Sequence, residues 1–206
     1  MLTAALFTRM SRRPNSFTVA STIFATAAGS LAVPDMRIRH IYRRDRMLRA
    51  GDQTSYLIQG YAAERFTEPH ENFAHENQNV QVVSGVQFGD LVDFLDSDYL
   101  ARVAKVCATT MWSLAQGPAA PKNVRQNATT VTNDTILDWD ANTETDLKGY
   151  EVVWRETTDP DWTHVIPVGN VTTVTLPDFS RDNAFFGVRA VDQSGHHSPV
   201  EFPTPF

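Results

Sequence analysis

Two hydrophobic periodicities divide this chain, and they change over at a Gly-Pro step near residue 117. Before that step, Tyr99, Leu100, Val103, Val106, Cys107, Thr110, Met111 and Leu114 recur every three to four positions. This spacing predicts a helix over residues 96–115 with one apolar face, which a sheet or other helices must cover. Asp96 or Ser97 supplies the N-cap, and Gly117-Pro118 ends the helix because proline cannot continue it. Upstream, Met36, Ile38, His40 and Tyr42 alternate with Arg37, Arg39 and Ile41, which predicts a strand. Ala50-Gly51-Asp52-Gln53 reads as a turn, residues 55–59 as a short helix stopped by Gly60, and residues 62–67 as a second strand. Residues 68–90 are polar and loop-rich, with one extended piece at 80–83. The expected product over 36–116 is a partial α/β layer of two strands and two helices with one exposed face.

After a linker at 117–120 the period falls to two. Strands are predicted at 123–126, 135–139, 150–156, 162–168, 172–176, 185–191 and 200–202. Turn signals separate them, among them Asp159-Pro160, Gly169-Asn170 and Ser194-Gly195. Seven short strands in this length are what an immunoglobulin-like sandwich needs. Several features here together resemble a fibronectin type III domain. Pro121 opens the first strand, and Trp139 in "ILDWD" stands where that family buries a second-strand tryptophan. "GYEVVWRE" (149–156) resembles its third strand, and "FFGVRAVDQSGHHSP" (185–199) its sixth strand and following hairpin. The family's loop-pinning tyrosine falls on Ala184, and losing its ring and hydrogen bond costs roughly 2–4 kcal/mol. The fold class expected is thus an α/β fragment followed by an all-β sandwich over 121–206.

Composition narrows the function. The chain has 206 residues, 42% of them hydrophobic and 20% charged, with a formal net charge of -6. That balance gives no reason to expect nucleic acid or an anionic membrane as a partner. The arginines between 37 and 49 fall on a segment that alternates like a strand and read as one solvated face. Cys107 is the single cysteine, so neither an internal disulfide nor a cysteine-based zinc site can be built. In residues 1–35, Arg12-Arg13 precede a small-residue, moderately apolar run from 17 to 33. This is the outline of a secretory signal peptide, with an unstructured N-terminus as the alternative. The run is too short and too polar to span a bilayer. A secreted or periplasmic location follows from the leader reading.

Residues 41–115 carry the more specific signal. "YRRDRMLRAGDQTSYLIQGYAAERFTEPHENFAHENQNV" followed by Phe88-Gly89-Asp90-Leu91 and the 96–115 helix resembles the closing section of the zinc aminopeptidases of peptidase family M-28. With this loop and a sandwich directly after the helix, the chain resembles a bacterial type of that family. The resemblance implies two zinc ions sharing a water, a glutamate that takes its proton, and hydroxide attack on the peptide bond beside a free N-terminus. It places the final zinc ligand on His75 and the supporting turn on Asp52 and Gln53, where Gln53 replaces the family's histidine. Asn79 replaces an aspartate, and Glu64 falls where an interior strand is usually apolar.

The donor count limits what this chain does alone. Before the Gly51-Asp52 turn stand one histidine (His40) and two acidic residues (Asp35 and Asp45), whereas a two-zinc site needs about five ligands and a base. No catalytic residue is therefore assigned. Zinc belongs to the parent family, with none expected on this chain, and a peptide is the substrate expected of a reconstituted enzyme. The alternative is a non-catalytic binding or structural protein built around the sandwich. His70-Glu71 is no metalloprotease helix signature, since the next histidine is five positions on. His196 and His197 are adjacent, point to opposite faces and suit surface roles, as does His164. Asn127-Ala-Thr, Asn133-Asp-Thr and Asn170-Val-Thr are glycan acceptors only in a chain exported by a eukaryote.

Overall fold

A computed structural model describes residues 2–7, 24, 27–41, 43, 45–49, 51–59, 61 and 63–205. The front half is built on a three-stranded sheet in the order β2-β1-β3. Its strands are β1 (Leu2–Phe7), β2 (Met36–Ile41) and β3 (Arg65–Thr67). β1 lies centrally, parallel to β2 and antiparallel to β3. Residues 27–32 are helical (α1), and α2 (Asp52–Ile58) lies between β2 and β3. Residues 2–7 thus sit inside a sheet, where the sequence suggested a leader or unstructured start. Residues 8–23, 25 and 26, on which most of the leader reading falls, lie outside the described residues. So do Gly60 and Ala62, and the predicted second strand shortens to β3.

The long predicted helix is α3 (Ser97–Gln116), and Asp96 caps it by accepting from the Tyr99 amide at 2.9 Å. Val106 is fully buried against Val33, Met36 and Ile38, with Tyr99, Val103 and Phe66 at the edge. The alternation of β2 is as expected, Met36 and Ile38 inward and Arg37 and Arg39 outward. α1 comes close to both layers because residue 29 is glycine. A Cβ there would stand 2.7 Å from Ile38 Cδ1 and 2.8 Å from Val106 Cγ1. The expected coverage of the α3 face is only partly met: Leu100, Met111 and Leu114 are exposed. Among the described residues, the three short strands and α1 cover only part of this stripe.

Beyond the helix the chain forms two packed sheets. One has the order β10-β7-β6-β12, from β6 (Lys122–Gln126), β7 (Thr135–Asp140), β10 (Thr173–Leu176) and β12 (Thr204–Pro205). The other has the order β11-β8-β9, from β8 (Leu147–Glu156), β9 (His164–Gly169) and β11 (Ala184–Asp192). Strict alternation on β7 turns Thr135, Leu137 and Trp139 inward, to meet Val152, Phe186, Val188 and Ala190. Trp139 packs edge-on against Tyr150, with ring centroids 5.3 Å apart. The expected last strand at 200–202 is reduced to a bridge between Glu201 and Val188, and pairing continues instead through β12 on β6. Ala184 is buried without a ring, and the connection after β10 is pinned by Thr135 Oγ1 donating to Phe179 O at 2.6 Å. The linker is held against the sandwich. Ala119 N donates to Glu144 Oε1 and Asn142 Nδ2 donates to Ala119 O, both at 2.8 Å.

Candidate functional site

The loop that carries His75 is fastened to the 45–53 segment by a chain of charges. Asp45 is buried and accepts from the Arg46 amide at 2.7 Å, from Arg46 Nε at 2.9 Å and from Gln53 Nε2 at 2.7 Å. Burial works against ionisation of this carboxyl, but the bonds from Arg46 and Gln53 outweigh it and hold it below its ordinary value. Glu71, at the start of the loop, pairs with both Arg46 and Arg49 and accepts from Thr67 Oγ1 at 3.1 Å. Arg49 also reaches Glu76 at 2.7 Å, next to His75. Sequence reading did not single out Asp45, Arg46, Arg49 or Glu71 as a network. The dense Arg and Asp residues before the Gly51 turn were its visible trace.

Within the loop, backbone turns aim the imidazole. Ala74 N donates to Asn72 Oδ1 at 3.1 Å and His75 N donates to Asn72 O at 2.9 Å. Gly89 N donates to Ala74 O at 2.9 Å, which ties the loop to the hairpin of β4 (Gln81–Val83) and β5 (Val86–Phe88). Gly89 has φ +111, and a Cβ there would meet Val80 Cα at 2.8 Å, so this junction requires glycine. The His75 ring stacks flat on Phe94, centroids 3.5 Å apart, and Nε2 lies 3.3 Å from Asn72 Nδ2. The ring lines an open cleft whose wall includes Glu68, Glu71, Glu76, Asp90, Arg65 and Leu95. With Glu71 and Glu76 matched by arginines, Glu68 and Asp90 leave the cleft acidic.

The three residues named from sequence part company here. His75 lines the cleft. Asp52 is exposed in the first turn of α2, and Gln53 is buried with its amide on Asp45, so neither lines that cleft. Gln53 is thus a structural clamp in this fold. Glu64, at the position the resemblance expects to be apolar, precedes β3, is half-buried and has a partner. Among the described residues, no three His, Cys, Asp or Glu side chains converge as a metal site requires. The cleft as described therefore does not fit a zinc ion by itself. Elsewhere, His196 Nδ1 meets Asp192 at 2.8 Å while His197 Nε2 meets Glu151 at 3.4 Å, so the adjacent pair diverges. His164 stacks on Trp154, centroids 3.7 Å apart. Burial pushes the Cys107 thiol above its ordinary value, as suits a packing role. Among the described residues no helix is long and apolar enough to cross a membrane.

No family model matches the chain. It is 49% identical over 170 residues to a protein named probable zinc metalloprotease from Pyrenophora tritici-repentis, a match covering 82% of this chain and 35% of that one. A protein of the same name from Pyricularia oryzae is 44% identical over 187 residues, 88% of this chain and 37% of that one. The relatives are zinc metalloproteases by name. The chain spans little more than a third of their length. They come from fungi, where the sequence resemblance pointed to a bacterial type. Solved structures similar to the chain include an Fn3-like protein from Clostridium thermocellum, 19% identical, covering 41% of this chain and 86% of that one at a TM-score of 0.31. A human cardiac titin module is 18% identical, covering 42% of this chain and 86% of that one, at a TM-score of 0.32.

Proposed function

We propose that this chain is the closing part of an exported zinc aminopeptidase of the M-28 type, with a fibronectin type III-like module appended. The observation that carries its zinc-peptidase part is the 49% identity to a probable zinc metalloprotease over a span covering 82% of the chain, and the aminopeptidase part rests on the residue resemblance around His75. The cleft supports it. A loop clamped by Glu71 holds the His75 imidazole rigidly against Phe94, as a ligand donated to a site completed by other residues must be held. The acidic wall formed by Glu68 and Asp90 suits the ammonium group of a peptide N-terminus. His75 is then a metal ligand supplied by this chain, with Asp45 and Gln53 as positioning residues. The remaining ligands and the base come from residues that these 206 do not include, so the isolated chain is inactive.

Fusing the chain to the portion of the Pyrenophora relative outside the match tests this with an aminoacyl chromogenic substrate. The fusion should release chromophore in the presence of zinc, the isolated chain should not, and His75→Ala should abolish turnover by the fusion. Hydrolysis by the isolated chain, or a fusion indifferent to His75→Ala, overturns the proposal. The second reading, a non-catalytic protein using the sandwich, is favoured by the lack of a three-donor group among the described residues. A fusion that folds, binds no zinc and is inactive would favour it over the enzyme reading.

A further inference from the structure

Three Asn-X-Thr triplets occur in the sandwich, at Asn127, Asn133 and Asn170. Their surroundings separate them. Asn170 follows Gly169, whose φ of +74 makes the turn between β9 and β10, and Asn170, Val171 and Thr172 are all exposed. Asn127 closes β6, and its Oδ1 accepts from Thr129 N at 3.0 Å and Thr129 Oγ1 at 2.7 Å. That turn uses the amide oxygen and keeps the amide nitrogen out of its bonds. Thr129 itself is exposed. Asn133 is exposed too, but its threonine, Thr135, is fully buried with its hydroxyl given to Phe179 O.

We propose that Asn127 and Asn170 are N-glycan acceptors. Asparagine in this triplet takes a glycan in surface loops of exported eukaryotic proteins. The relatives are fungal, and the proposal rests on the export reading above. In the transfer, the asparagine amide nitrogen attacks the anomeric carbon of an oligosaccharide carried on a polyisoprenyl diphosphate. A C–N bond forms, the sugar's C–O bond to the diphosphate breaks, the polyisoprenyl diphosphate leaves, and a base of the transferase takes one amide proton.

The two sites lie at opposite ends of the sandwich. β10 runs antiparallel to β7, pairing Leu176 with Thr135 and Thr173 with Asp138. Asn170 is therefore at the end where β7 finishes, the end to which the linker is bonded through Asn142 and Glu144. Asn127 is at the far end, where β7 begins. The glycan there would cover Val131, a fully exposed valine in the same loop. At the other end, the glycan on Asn170 would cover Val171, which is 41% exposed. A bulky, hydrated group over these loop tips removes isolated apolar contacts from the surface.

The test expresses the full chain behind a heterologous secretory leader in yeast and recovers both cellular and secreted protein. Peptide N-glycosidase in heavy-oxygen water marks each released site as a labelled aspartate, read by peptide mass spectrometry. Most molecules should carry the label at Asn127 and at Asn170, and fewer at Asn133. N127Q and N170Q should each remove one step of gel shift, in the cellular pool even if a variant is not secreted. An absent label at either Asn127 or Asn170 overturns the proposal. Parallel expression of the fusion with the Pyrenophora portion, from that portion's own first residues, separates the two readings: glycans with the heterologous leader and none on the fusion would refute export while leaving both sites standing.

Discussion

Replacing Glu71 with glutamine removes the negative charge at the centre of the clamp that positions His75. The Glu71 side chain is 13% exposed, and its partners Arg46 and Arg49 are 12% and 27% exposed. This is more enclosed than a surface ion pair, which is worth at most about 1 kcal/mol. Hydrogen bonds to charged groups contribute about 1.5–3 kcal/mol each, and Glu71 makes two of these besides the one from Thr67. Glutamine keeps one acceptor but turns an NH2 toward a guanidinium, so at least one of the two is lost, while Arg46 keeps Asp45 and Arg49 keeps Glu76 as counter-charges. The net cost expected is about 2–3 kcal/mol. At roughly 1.4 kcal/mol per tenfold, local opening of the loop should rise about 30- to 150-fold. Hydrogen exchange at the His75 and Gly89 amides reports it directly, since these bond to Asn72 O and Ala74 O within the clamped loop. Glu68→Gln, an exposed site on the same loop, should leave those rates unchanged. A change under about threefold for Glu71→Gln would show that the charges merely decorate the surface and that other contacts hold the loop.

Three further outcomes follow from the packing and the charges. Leu137→Ala removes a fully buried side chain facing the second sheet and should cost about 3–4 kcal/mol, seen as a lower urea midpoint in tryptophan fluorescence. Gly29→Ala drives a methyl into Ile38 and Val106 and should destabilise the front half by about 1–3 kcal/mol, read as faster exchange of β2 amides with the sandwich unaffected. Asp45 titrates below its ordinary value in the folded chain, so its stabilisation is complete above the unfolded value near about 4 and is lost as pH falls through the lower folded one. Asp45→Asn should therefore destabilise the front half at neutral pH and flatten its acid-unfolding limb.

The legible parts of this fold were those whose signal is local. The α3 helix and its Asp96 cap follow from spacing and one acidic residue, and six of the seven sandwich strands follow from alternation between turn residues. The strand at 200–202 misled because its residues pair at a single bridge, a tertiary fact that period-two patterning cannot reveal. β1 was missed because residues 2–7 are nearly all apolar. They sit in the middle of a sheet, where a continuous run replaces the alternation by which a strand is recognised. His75 was singled out only through a family resemblance. Its clamp depends on contacts between residues some 20 positions apart, such as Arg49 with Glu71, which no local pattern encodes. Gln53 was named for its place in a turn, and the structure gives it another task, because a buried amide next to a buried carboxylate satisfies both groups.

The central claim is that His75 is one donor on a prepared loop, with the rest of the metal site supplied from outside these residues. Zinc content after dialysis, measured by plasma mass spectrometry on the isolated chain, the fusion and the fusion carrying His75→Ala, tests it most directly. The account predicts less than one zinc per molecule for the isolated chain, a full complement for the fusion, and loss of at least one ion on His75→Ala. A full complement on the isolated chain, or an unchanged content in the His75→Ala fusion, would contradict it.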